Sequence, residues 1–278
     1  MPLPLHRVIT AAALLAALQA HAQEPAPAAS TPASTPAAPQ PPADAASAVP
    51  DEPPTHSLMD APLFYQLLIG EIELQNGQPG VAFQVLLDAA RRTADEALFK
   101  RVVNIAIQAR AGDQALLAAR AWADTVPTST DALQSVVQLL ALMNKPAEIA
   151  QPLATLLRIA PAPQRPGYIL SLPRLFQRSP EPKAVLAALA PVLKAQAGPL
   201  RPPALYTEAK LAINAGENGR ALALTRELNQ ADPDNDDAMQ LALDLMPSEP
   251  QAETLITERL RLKPDQPALR QAYGRALI

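Results

Sequence analysis

From Ser57 onward, apolar residues recur at helical spacing, and Pro or Gly breaks the pattern every 12–18 residues. This punctuated 3.6-residue period constrains the chain more than any other feature. It leaves room for helices of three to four turns and for short connections only. No stretch alternates polar and apolar over a strand's length, and no Asn-Gly hairpin lies between β-branched runs. The pattern predicts an all-α protein with helices at 61–75, 79–91, 95–111, 114–125, 130–143, 146–159, 164–178, 181–196, 202–215, 218–230, 235–245, 250–262 and 267–278. Consecutive short helices must lie antiparallel, and antiparallel pairs at a fixed period stack into a solenoid.

The residues before this region read differently. His6 and Arg7 end a short n-region, Val8–Leu18 is an apolar core, and Ala20-His21-Ala22 has the small-x-small form of a cleavage site. Residues 1–22 are therefore expected to be a secretory signal, too short in its apolar part to span a bilayer. Residues 23–57 hold ten prolines, no Gly, no aromatic residue and no Lys or Arg. Such a composition cannot bury enough apolar surface to offset chain entropy, so a disordered Pro/Ala-rich linker is expected. The expected division is 1–22 signal peptide, 23–57 linker and 58–278 helical repeats, with a periplasmic or secreted destination.

Composition excludes most chemistry. The chain has no Cys, and its three His residues (His6, His21 and His56) all precede the helical region. The repeats thus lack thiolates and imidazoles, the commonest metal ligands and general bases. The net charge is −4 with the signs interspersed, which gives no basic stripe for nucleic acid. Glu71 and Glu73 are two apart on a helix and cannot face each other as an acid/base pair. Asp232, Asp234 and Asp236 have the spacing that opens a calcium loop. Position six of that loop is Asp237 where Gly is required and position twelve is Leu243 where Glu is required, so a turn and helix cap are expected. Trp122 is expected in the core. No cofactor is expected, and no enzyme.

The repeat has a register. Gly70 is followed after seven residues by Gly77, after five more by Ala82, and after a further seven by Ala89, with Leu86 between the two alanines. Ala209, Gly216 and Ala221 repeat the first two offsets, Pro233 follows Ala221 by twelve residues, and Ala252 and Pro264 follow Ala221 and Pro233 by 31 residues. These small positions, with the Asp232-Pro233-Asp234-Asn235 connection, resemble the tetratricopeptide repeat (TPR). Pairs two to four are degraded: their turns are placed at Gly112-Asp113, at Asn144-Lys145-Pro146 and at Pro180/Pro182, and Pro173 falls inside a helix. The resemblance implies a right-handed superhelix of about six and a half pairs over 58–278. Residues 268–278 read as a half-repeat whose apolar side lacks a partner, so self-association through that end is expected.

In that family the first helix of each pair lines a groove that holds a peptide. Carried onto this chain, the groove residues are Leu67, Glu71 and Gln75, then Tyr206, Lys210 and Asn214, with Arg101, Asn104 and Gln108 as a comparable polar stripe between them. The trios spaced i, i+4, i+8 each occupy one helix face. The resemblance implies an exported adaptor that binds a protein or peptide in the cell envelope. The alternative is the superhelical part of a cell-wall enzyme, such as a lytic transglycosylase, without its catalytic domain.

Overall fold

The computed structural model describes residues 60–277; the expected signal peptide and the expected linker lie outside the described residues. Thirteen α-helices, and no strand, occur among the described residues: α1 (Ala61–Gln75), α2 (Pro79–Thr93), α3 (Glu96–Gln108), α4 (Gly112–Thr125), α5 (Thr130–Leu142), α6 (Ala150–Ile159), α7 (Arg165–Leu175), α8 (Pro182–Lys194), α9 (Arg201–Asn214), α10 (Asn218–Ala231), α11 (Asp236–Leu245), α12 (Glu253–Leu262) and α13 (Pro267–Ala276). Short 3₁₀ turns lead into α6, α9 and α12. Most helices pack mainly on their neighbours in the chain: α1 on α2, α2 on α3, α3 on α4, α4 on α5, α9 on α10. The result is the expected all-α solenoid, TPR-like in register, with one core running along it.

Close approach explains the small positions. A Cβ added at Gly70 would sit 2.5 Å from Leu86 Cδ2, so α1 and α2 can meet only where that atom is missing. Ala82, Ala89, Ala209 and Ala221 are fully buried. Trp122 is buried and stacks parallel on Phe99, with centroids 6.3 Å apart. Its Nε1–H donates to Glu96 Oε2 at 3.1 Å, and the Ser129 hydroxyl donates to the same oxygen.

Four hairpins close in the same way. Gly77, Arg110, Asn144 and Gly216 have φ of 74°, 56°, 51° and 74°. The next amide in each case reaches back to the helix: Gln78 to the Glu73 carbonyl at 2.8 Å, and Ala111 to Ala106, Lys145 to Leu140 and Glu217 to Ala212 at 2.9 Å. These are Schellman closures, in which a left-handed residue turns the chain and the following amide satisfies a carbonyl of the last turn. They correct the second hairpin. Its turn is at Arg110 rather than Gly112-Asp113, α3 stops at Gln108, and Gly112 already opens α4. The arginine accepts a conformation that favours glycine because the closure bond and the packing on either side hold it there.

The fourth pair departs from the pattern. α7 packs on α5 and α9, and α8 packs on α6 and α9. Pro173, inside α7, has no N–H to give the Ile169 carbonyl four residues back. Thr207 of α9 fills that vacancy: its hydroxyl donates to the Ile169 oxygen at 3.0 Å, with both residues fully buried. The proline thus frees an acceptor that ties α7 to the following pair. Thr207→Val should cost about 1–3 kcal/mol, the penalty for a buried carbonyl left without a donor. In a Pro173→Ala background the helix amide satisfies Ile169, and the same substitution should cost much less. Urea denaturation of the four variants gives the coupling directly.

Candidate functional site

Counting back from the left-handed residue gives every odd-numbered helix of these hairpins a common register. Ten, six and two residues before it lie Leu67, Glu71 and Gln75 on α1; Lys100, Asn104 and Gln108 on α3; Gln134, Gln138 and Leu142 on α5; and Tyr206, Lys210 and Asn214 on α9. Arg101 lies one residue round from this row. Gln134, Gln138 and Leu142 were missed by the sequence reading. The third hairpin has Asn144 at the left-handed position, and without a glycine there the register could not be carried across.

The charges on this row are engaged along the array. Arg101 donates to Glu71 through Nε at 3.3 Å and Nη2 at 3.0 Å, joining α3 to α1. Lys100 lies 3.7 Å from Asp131, joining α3 to α5. Lys210 Nζ is 2.5 Å from Asp244 Oδ2, joining α9 to α11. Leu67 and Tyr206 are half-buried against the core. What faces solvent is a set of carboxamides: Gln75, Asn104, Gln108, Gln138 and Asn214 are exposed and make no side-chain hydrogen bond among the described residues. Beside them stand exposed aliphatics, Ile107 and, 80% exposed, Leu142.

A cavity lies between α4, α5 and α6, with a volume of about 570 Å³. Leu133, Val136 and Leu140 form its floor, and the Arg120–Glu148 ion pair spans from α4 to the turn before α6. The size suits a small ligand, but Arg120 is already committed to Glu148.

Two acidic features have structural roles. In the Asp232–Asp236 segment, Asp232 Oδ1 accepts the Asp234 amide at 3.3 Å, and Asn235 caps α11 by accepting the Ala238 amide at 3.2 Å. Asp234 pairs with Lys263 at the end of α12. These are the turn and cap expected from the sequence. Glu208 is fully buried, and its Oε1 accepts from Arg220 at 2.6 Å. Its Oε2 is buried and makes no hydrogen bond among the described residues.

The hydrogen bond from Lys263, followed by its charge, holds the Asp234 carboxyl below the ordinary range. A lowered folded-state pKa means that the tie is present above the unfolded value near 4 and lost as pH falls through the folded one. Carboxyl NMR of Asp234 should therefore titrate below the ordinary value, and Lys263→Met should return it to about 4.

No family model matches the chain, and no curated protein does. Solved structures do. PilW, described as a widely conserved type IV pilus biogenesis factor, is 17% identical over 77% of this chain and 100% of its own, with a TM-score of 0.37. YrrB, described as a TPR protein with an unusual peptide-binding site, is 14% identical over 68% of this chain and 97% of its own, with a TM-score of 0.37. A tetratricopeptide repeat protein from Parabacteroides merdae is 15% identical over 77% and 85%, with a TM-score of 0.35. The chain is thus similar to helical-repeat proteins, and its TPR-like character stands on its own hairpin register.

Proposed function

We propose that this protein is a non-catalytic, exported scaffold that binds an extended peptide segment of an envelope protein across its odd-numbered helices. The carboxamide row carries this reading. Each Asn or Gln offers both a donor and an acceptor, which is what an extended backbone needs. Spacing along one face, helix after helix, lets several amides engage one strand. Because Glu71, Arg101, Lys100 and Lys210 are held in pairs, the face selects for backbone and aliphatic side chains more than for charge. Ile107 and Leu142 would take the aliphatic side chains.

Site-specific photo-crosslinking in cells tests this. A benzophenone side chain at Asn104 or Gln138 should give adducts with a protein partner, and one at Leu117 on α4 should not. Asn104→Ala with Gln138→Ala should weaken capture of that partner roughly tenfold or more, the effect of losing on the order of 1.4 kcal/mol, with helix content unchanged. Adducts confined to Leu117 would overturn the assignment of the face.

Export rests on the Val8–Leu18 core and the Ala20-His21-Ala22 site. Protein recovered from the envelope should begin Gln23-Glu24-Pro25. A chain that retains Met1 would contradict processing.

A further inference from the structure

The outer side of α1 is apolar and open. Phe64, Tyr65, Leu68, Ile69 and Ile72 are between 43% and 62% exposed. At 100° per residue they fall within one arc of about 140° that carries no charge. Glu71, at the edge, is neutralised by Arg101. The register shows what this face is. Tyr65, Ile69 and Ile72 stand twelve, eight and five residues before the left-handed turn. On α3 those places belong to Leu98, Val102 and Ile105, and on α5 to Ala132, Val136 and Leu139. The last five are buried and Leu98 is half-buried, in helices that pack on the preceding pair. The open face of α1 is therefore the inter-repeat surface of the solenoid, with the residue types of a covered one. Residues 23–57 hold ten prolines and offer no helical apolar period with which to cover it.

We propose that a second copy of this chain covers it, α1 against α1 about a two-fold axis near Leu68. The patch amounts to about 500 Å² of mostly apolar surface, taking roughly 200 Å² for each large side chain. That lies within the range of the largest patches on monomers, which are often functional. Two such patches with their rims bury on the order of 1,000 Å², the lower edge of a specific dimer. An uncharged arc pairs with itself without repulsion. In an antiparallel crossing Phe64 and Tyr65 of one copy meet Ile72 of the other, an isologous contact in which each half supplies what the other lacks.

Sedimentation equilibrium on the purified chain, its N-terminus read by mass spectrometry, should show a reversible monomer–dimer equilibrium. Leu68→Glu should weaken it roughly tenfold or more, and so should Leu68→Lys alone. Mixing these two variants should restore a heterodimer, because a residue at a two-fold axis faces its own counterpart. The chain has no cysteine, so Leu68→Cys should give a disulfide-linked dimer under mild oxidation and Leu117→Cys should not. Tyr65→Gln is a milder second variant, and helix content by circular dichroism checks that each one folds. A mass of one chain at every soluble concentration would overturn the proposal. So would a dimer indifferent to both Leu68→Glu and Tyr65→Gln, or a photo-crosslinker at Leu68 that reaches only residues 8–18 of its own chain or only a different protein. Peptide capture at Asn104 and Gln138 is read separately and does not depend on this result.

Discussion

Everything in this array depends on how closely two helices can lie at the crossing within each pair. Leu86 rests on Gly70 where a single added carbon would collide with it. The buried alanines 82, 89, 209 and 221 serve the same kind of approach. Aromatics are scarce in the chain, at 3%, so small aliphatic side chains fill the space between helices, and their density comes from interdigitation rather than bulk. The phase of the whole solenoid follows from those crossings. Once α1 and α2 are fixed, the direction in which α2 leaves determines where α3 can pack, and the same condition passes down the chain.

Much of this was legible in the sequence because it is written in residues with little conformational choice. The helix starts at 61, 79, 130, 218 and 267 agree with the sequence reading, since Pro, Asp, Ser or Asn marks each boundary. The turns at Gly77 and Gly216 were legible because glycine reaches positive φ without strain. Arg110 was not, because nothing in an arginine announces a left-handed backbone; the conformation is imposed by the closure bond to Ala106. The third turn was legible at Asn144-Lys145-Pro146, but without a glycine its left-handed residue was not singled out, so Gln138 and Leu142 were not counted back from it.

The candidate face was legible in part. Of the residues that the TPR resemblance assigned to the groove, Gln75, Asn104, Gln108 and Asn214 are exposed, while Glu71, Arg101 and Lys210 are engaged with partners one pair away. Such pairing is long-range in sequence, 30 residues for Arg101 and Glu71, and cannot be seen from the spacing within one helix. Exposed ion pairs contribute little to stability. On the proposed binding face they leave the exposed carboxamides as the groups free to hydrogen-bond.

The proline in α7 has a consequence for how the array comes apart. An ordinary helix satisfies its own carbonyls, so a repeat can form before its neighbours do. α7 cannot: one of its interior acceptors is completed only by a hydroxyl from the next pair, 38 residues further on. Order in this helix is therefore borrowed from α9. A linear array with such a dependence does not fray evenly from its ends. It has an internal seam, with α1–α6 on one side and α9–α13 on the other. Loosening α9 removes the donor to the Ile169 carbonyl as well as the packing of α7 and α8 on α9, so strain applied to the second block is passed upstream through this pair.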